Sequence, residues 1–399
     1  MGKELYKKYK LRDIINLKYG KGLPKRKRRA GEYPVYGSGG IVDKHIEPLV
    51  KGPGIIIGRK GSIGNVFYEK KSFYPIDTVY FVEAKDLPLD LYYLSHLLST
   101  IGLNNMNSDA AVPGLNREIA LSQEVIVPPH ATQRKIAAIL SAYDDLIENN
   151  LRRIKILEEM AQNLYREWFV NFRYPGHENT RFVDSPLGKI PEGWEIDTVE
   201  DTFTILGGGT PSKKVDEYWN NGDINWYTPS DLTSAKSMFM DESNNKITEL
   251  GLKKSSAKLF PPFSVMMTSR ATLGVVSTNT TEACTNQGFI TCIPNDKYPL
   301  YLLYYWLMEN VDNFINHASG ATFKEISKSV FKTLEIIVPP KAVAALFEET
   351  LNPIGLKILN LQRKNKILRQ TRDLLLPKLI SGEVDVSELD IIVPEEVAI

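Results

Sequence analysis

Two cysteines stand in 399 residues, Cys284 and Cys292, and neither falls in a Cys-x-x-Cys or Cys/His spacing. That excludes a disulfide framework and argues against structural zinc. With no secretory leader legible, the expected compartment is the reducing cytoplasm. No apolar run approaches the ~20 residues of a membrane span, so no membrane partner is expected. An excess of either charge is also missing, since 49 Lys and Arg against 48 Asp and Glu leave a formal net charge of +1. Any polyanion would have to be met by local clusters of cations. The histidines His45, His96, His130, His177 and His317 are scattered, with no partner at nucleophile or metal spacing. Catalytic motifs are lacking as well. Phe260-Pro-Pro-Phe263 opens with Phe where amino-methyltransferase chemistry needs a polar acceptor, and reads as a turn before a strand. The Gly-rich, basic stretch Gly52–Ser62 misses the Walker spacing.

What the chain does have, it has twice. Arg59 lies in Ile-Ile-Gly-Arg-Lys-Gly-Ser-Ile-Gly (56–64), and Arg270 lies in Met-Thr-Ser-Arg-Ala-Thr-Leu-Gly (267–274). Val125-Ile-Val-Pro-Pro129 recurs as Ile336-Ile-Val-Pro-Pro340, at the same offset as the two arginines. Tyr9–Ile14 matches Trp194–Val199, and Gly22-Leu-Pro24 matches Gly209-Thr-Pro211, at a shorter offset. The second copy therefore carries an insertion, for which the polar stretch 233–256 is the candidate, expected as a surface excursion. Residues 1–128 look strand-rich, with β-branched and aromatic runs between Gly and Pro. Leu91, Leu94, Leu97 and Leu98 predict a helix over 89–101, matched by 300–307 in the second copy.

Each Val-Pro-Pro precedes a long helical stripe. The first runs through Ile136, Leu140, Tyr143, Ile147, Leu151, Ile154, Leu157, Ala161, Leu164 and Trp168, and Gly and Pro are absent from 131 to 174. With charge dense on the other faces, it reads as a coiled-coil strut ending near Tyr174-Pro-Gly176. A strut of about 40 residues spans roughly 60 Å, enough to hold two globules at a fixed separation. The second runs through Phe347, Leu351, Ile354, Ile358, Leu361, Asn365, Leu368 and Leu375. Pro353 should kink or interrupt it. Asn365 either fixes the register of pairing or marks a drift of the stripe. Residues 387–399 carry no structural signal. The resulting boundaries are a first globule at 1–130, a helix at 131–175, a second globule at 176–338, a helix at 339–381 and a tail at 382–399. A two-fold symmetric dimer is expected of the isolated fragment 1–175, whose stripe would otherwise face water.

The order of these pieces resembles the specificity subunits of type I restriction–modification systems over nearly the whole chain. The resemblance rests on Val127-Pro-Pro-His-Ala-Thr-Gln-Arg-Lys-Ile-Ala-Ala-Ile-Leu140, Leu187-Gly-Lys-Ile-Pro-Glu-Gly-Trp194, Arg270-Ala-Thr-Leu-Gly274 and Leu374-Leu-Leu-Pro-Lys-Leu-Ile-Ser-Gly382. The second copy departs at Lys341-Ala-Val-Ala-Ala345, where Gln133 and Arg134 have no counterpart. The resemblance implies an α+β fold of two mixed α/β target-recognition domains. Between them would run two long helices packed as an antiparallel coiled coil, in a pseudo-two-fold internal repeat. It implies a non-catalytic chain that reads one half of a split double-stranded DNA target with each domain. Its helices would dock two modification subunits, which carry S-adenosylmethionine, and restriction subunits can join. No cofactor or metal is expected on this chain. A different class, a coiled-coil adaptor whose globules bind proteins, stays open at this point.

Sequence readout needs donors and acceptors at a groove and cations on phosphate. The first copy offers Lys25, Arg26, Lys27, Arg28 and Arg29, then Ser38, Arg59, Lys60, Asn116 and Arg117. The second offers Lys213, Lys214, Tyr227, Ser230, Asp231, Ser269, Arg270, Asn286, Gln287, Thr322 and Lys324. The basic run could equally be a solvated loop. Arg59 and Arg270, present in both copies, suggest a structural anchor or a phosphate contact. Positions that differ, such as Asn116-Arg117 against Lys324-Glu325, are better candidates for reading bases.

Overall fold

The structure, a computed structural model, describes residues 6–107, 114–320 and 324–393. The chain divides into two compact units, residues 1–148 with 366–399, and residues 149–365. The helices His130–Tyr165 and Lys341–Ile380 are each shared between the two, so neither unit is a globule alone.

In the first unit, Lys7–Lys10 pairs antiparallel with Glu124–Val127 and closes the globule. A four-stranded sheet follows in the order Ile15–Tyr19, Val79–Ala84, Gly54–Gly58, Val66–Glu69. A three-stranded sheet orders Gly40–His45, Tyr33–Gly37 and Tyr74–Pro75, the last pair parallel. Asp90 caps the helix Leu91–Thr100 by accepting from the Tyr93 amide. Leu94, Leu97 and Leu98 join Ile14, Ile15, Ile55 and Ile57 in one core, which also holds Ile136 and Leu140 of one long helix and Leu379 and Ile380 of the other. Further along, Asp144 accepts from the Tyr92 hydroxyl and from the Arg372 guanidinium. The numbers rise on one helix as they fall on the other, so the pair is antiparallel here. The tail is better held than its sequence suggests. Lys135 Nζ donates to the carbonyls of Ser387 (2.6 Å) and Leu389 (2.9 Å), and Val386 is buried.

The second unit repeats this plan strand for strand. Glu195–Thr198 pairs with Glu335–Val338. The main sheet orders Thr204–Gly207, Phe289–Ile293, Val265–Thr268 and Val276–Asn279. The smaller sheet orders Asn245–Ile247, Ile224–Tyr227 and Ala283–Thr285, again with one parallel pair. The stretch 233–256 is a surface excursion only in part, since most of it is exposed or half-buried. It begins in the helix Pro229–Ala235, opened by a reciprocal Thr228/Asp231 cap, and supplies a fifth strand, Phe239–Met240, parallel to Val276–Asn279, before the strand Asn245–Ile247 and the helix Glu249–Lys253. Met238, Phe239 and Met240 are buried, so this segment extends the core.

In this unit Phe347 packs against Trp168 (ring centroids 5.5 Å apart) and Phe169 (4.8 Å), while Asn150 Nδ2 donates to Asn365 Oδ1 at 2.8 Å. The helices are antiparallel here too. The first stripe needs one correction. Leu151 is 47% exposed, and Asn150, 2% exposed, takes the buried place between Ile147 and Ile154. Steps of three and four pass through 150 as readily as through 151, and tertiary pairing with Asn365 decides between them. Asn365 is 1% exposed, so it lies on the stripe and is no drift. The second helix continues through Pro353 without interruption. Among the described residues no helix is long and apolar enough to cross a membrane.

Candidate nucleic-acid interface

Both globules carry the same tight turn after the central strand of the main sheet. In the first, the Gly64 amide donates to Gly58 O (2.8 Å) and the Arg59 amide to Thr78 O (2.9 Å). In the second, Gly274 donates to Thr268 O and Ser269 to Gly288 O, each at 2.9 Å. Gly58 is required locally, because a Cβ there would stand 2.2 Å from the Ser62 carbonyl oxygen. Gly64 and Gly274 both adopt positive φ, at 74° and 91°.

These bonds set the equivalences, and they differ by one residue from those in the sequence. Arg59 corresponds to Ser269, and Lys60 corresponds to Arg270. The shared offset of Arg59 and Arg270 is a coincidence, since the turn and the Val-Pro-Pro segments are not in step. The Leu115 amide donates to Arg59 O and the Ile326 amide to Ser269 O. Asn116 and Ser327 then cap matching short helices, Arg117–Leu121 and Lys328–Lys332. Arg117 is therefore matched by Lys328, not by Glu325.

The candidate residues sort by what their side chains already do. Arg59 is an anchor, its Nε and Nη2 donating to Asp77 O (3.2 and 2.7 Å) beneath the ring of Tyr19. Asn116 is a helix cap, accepting from the amides of Glu118 and Ile119. Ser38 bonds the Lys60 carbonyl and braces the turn. Tyr227 is fully buried with its hydroxyl on Met240 O, and Ser269 is 3% exposed, so neither is offered to a ligand. Asn286 folds back on the Gly288 amide (2.8 Å). Within the basic run, Arg28 donates to Leu23 O and Asp43, and Arg29 pairs with Glu47. The Lys44 amide and then the Arg28 guanidinium hold the Asp43 carboxyl below its usual range. Thr322 lies outside the described residues.

What stays exposed is Lys25, Arg26, Lys27 and Lys60 in the first globule, with Arg117 in an exposed pair with Glu118 (3.3 Å). The second keeps Lys213, Lys214, Gln287 and Lys324 exposed, with Arg270 half-buried. Gln287 accepts from Thr210 Oγ1 (2.5 Å), and Lys324 reaches Ile315 O (3.4 Å). Gly20 and Gly208 make the same close approach to the carbonyls of Pro75-Ile76 and Thr285-Asn286. Counting on from those glycines, Lys25 and Arg26 fall on Lys213 and Lys214. Each globule thus presents a cationic loop in the same place and a cation on the same turn, Lys60 or Arg270.

Tyr19 and Lys328 were absent from the sequence candidates. Tyr19 is 54% exposed at the end of an edge strand, with Arg59 and Arg117 at 5.3 and 5.9 Å from its ring centroid. Burial, then a hydrogen bond with Tyr19, pushes the neighbouring Tyr80 phenol up to about 12. No motif marks these residues, and only the strand register brings them together. Both cysteines are buried and free, and burial pushes their thiols up. Among the described residues no group of three or more His, Cys, Asp or Glu could hold a metal ion.

The chain matches the family model described as the type I restriction modification DNA specificity domain twice, over residues 3–159 and 191–369. It is 33% identical over 205 residues to the type I restriction enzyme MjaIX specificity subunit of Methanocaldococcus jannaschii, covering 51% of this chain and 46% of that protein. It is 26% identical over 330 residues to the HindI specificity subunit of Haemophilus influenzae, covering 68% of this chain and 71% of that protein. The first of these alignments thus spans less than half of the relative's length. The crystal structure of a type I restriction–modification S subunit from M. genitalium superposes with a TM-score of 0.61 at 15% identity, covering 94% of this chain and 96% of that one, a likeness of fold. With most of its length under that model, the chain belongs to the type I restriction–modification DNA specificity family.

Proposed function

We propose that this chain is the DNA-reading subunit of a type I restriction–modification complex, each globule reading one half of a split duplex target. The observation that carries the reading is the repeated cationic geometry. A chain of net charge +1 presents Lys25, Arg26 and Lys27 with Lys60 in one copy, and Lys213 and Lys214 with Arg270 in the other. Cations at matching points on two copies of one fold suit phosphates, which are alike in every sequence. Residues that differ between the copies then read bases. The chain does no chemistry itself. Modification subunits dock on the long helices and supply S-adenosylmethionine and methyl transfer, in the cytoplasm.

The test is a gel shift of the full chain on duplex DNA across a salt series, with and without its modification subunits. Binding should weaken linearly in log–log form, by ~0.9 per phosphate neutralised. Salt-independent binding, or methyl transfer by the isolated chain, would refute the proposal.

A further inference from the structure

We propose that Arg117 reads a base edge in the first half-site, with Tyr19 and Arg59 positioning its guanidinium, and that Gly207, Ser269 and Lys328 give the second domain a different preference at the same point. The inference rests on the DNA-reading function above.

The correspondence is fixed by three independent registers. Tyr19 faces Tyr80, which faces Ile57, and Gly207 faces Ile290, which faces Met267. Arg59 and Ser269 make the same two backbone bonds on the shared turn. Arg117 and Lys328 each open a short helix just after its capping residue. The contact recurs as well. Arg117 sits 5.9 Å from the Tyr19 ring centroid, and Lys328 Nζ stands 3.8 Å from where a Cβ on Gly207 would be. Both domains therefore aim a cation from a helix start at the last residue of the same strand. The frame is common, and the three side chains on it are all different.

The chemistry of the difference is specific. A guanidinium is a planar fork that can donate two bonds to the O6 and N7 of guanine, while an ammonium is a point donor. In the first domain Arg59 is tied to Asp77 O and stands 5.3 Å from the Tyr19 ring centroid, with Arg117 5.9 Å from the same centroid. Arg117 spends its fork on Glu118, in a pair whose side chains are 41% and 69% exposed. Such a pair is weak and readily exchanged for a ligand. In the second domain there is no ring, Ser269 is buried, and Lys328 is left as an exposed cation beside a glycine. That site offers a point donor and no fork to grip a base.

The experiment is selection from a randomised duplex library by the full chain with its modification subunits, followed by sequencing. Wild type should enrich a bipartite motif with a guanine in one half. Arg117→Lys should relax that single position by roughly 10- to 100-fold and leave the other half intact, with the salt slope unchanged. Tyr19→Gly should relax the same position, and Tyr19→Phe should restore it, because the ring and not the hydroxyl is the platform. Lys60→Ala, as the comparison, should weaken all sequences alike. If Arg117→Lys and Arg117→Ala lower binding with the motif unchanged, Arg117 is a phosphate contact and this inference falls while the DNA-reading function stands. If wild type enriches nothing and binds without salt dependence, both fall.

Discussion

Replacing Asn365 by leucine tests how the two long helices are held. Asn150 Nδ2 donates to Asn365 Oδ1 at 2.8 Å, and both residues are almost wholly buried. Leucine has similar bulk but no acceptor, so the Asn150 amide loses its bond to Asn365 where water does not reach. Loss of one partner of a buried hydrogen bond costs about 1–3 kcal/mol. For a unit the size of residues 149–365, each kcal/mol moves the melting temperature by ~2–4 °C. The midpoint should therefore fall by about 4–8 °C for a mid-range loss of ~2 kcal/mol. Replacing both asparagines by leucine should recover the part of that loss that comes from the stranded Asn150 amide, since the donor is then removed with its acceptor. Differential scanning calorimetry of the two singles and the double gives the coupling directly. A drop under about 1 °C for Asn365→Leu would refute the argument, given the ~2–4 °C expected per kcal/mol. So would a double variant as unstable as the sum of its singles.

Charge reversal of Lys25, Arg26 and Lys27 together should weaken binding to every duplex and flatten the salt slope by up to about one unit per lost phosphate contact. The same change at Arg28 or Arg29 should act mainly through their bonds to Asp43 and Glu47, and an unchanged slope for the first set would mean a solvated loop. Burial lifts the Glu348 carboxyl to about 7, with the Tyr301 amide lowering it in part. A folded value above the unfolded 4.5 means that stability present below 4.5 is lost as pH rises towards about 7. Glu348→Gln should then raise the melting temperature at pH 8, by no more than about 3 kcal/mol of stability, and leave it unchanged at pH 4. Equal shifts at both pH values would contradict this.

The repeat, the strand-rich globules and both long helices were legible because each leaves a periodic trace in sequence. The errors have one physical form, a register fixed by partners far away in the chain. Leu151 outranked Asn150 on hydropathy, yet Asn365 selects position 150. Arg59 was paired with Arg270 on local similarity, whereas the strand bonds pair it with Ser269. Tyr227 and Ser269 looked like groove donors because they are polar, and only the fold shows them inside. The insertion looked polar because the few large apolar residues it buries, the short run Met238-Phe239-Met240 and Ile247, stand between charged and polar stretches. Tyr19 left no signal at all, since its meaning lies in two arginines 40 and 98 positions further along.

The buried asparagines also decide what half of the chain can do alone. Val127 and Val338 close equivalent strands, and on that offset Asn365 takes the place of Ile154 in the repeat. A symmetric dimer of fragment 1–175 would therefore set Asn150 of one copy against Ile154 of the other, and do so twice. Each buried amide without a partner costs about 1–3 kcal/mol. Against this stand Ile136, Leu140, Ile147, Ile154, Ala161 and Trp168, all buried in the intact chain. At roughly 1–3 kcal/mol for each large side chain removed from water, the apolar stripe outweighs the two amides, and the fragment should still dimerise. Asn150→Leu should then act with opposite signs in the two contexts. In the full chain it removes the donor to Asn365 and should destabilise the helix pair. In the fragment it removes both mismatches and should tighten the dimer at least about tenfold, even at the low end of that cost. Analytical ultracentrifugation of the fragment at micromolar concentration reads the second effect. A fragment that stays monomeric, or a dimer that Asn150→Leu weakens, would show that the stripe of the first helix cannot serve as its own partner.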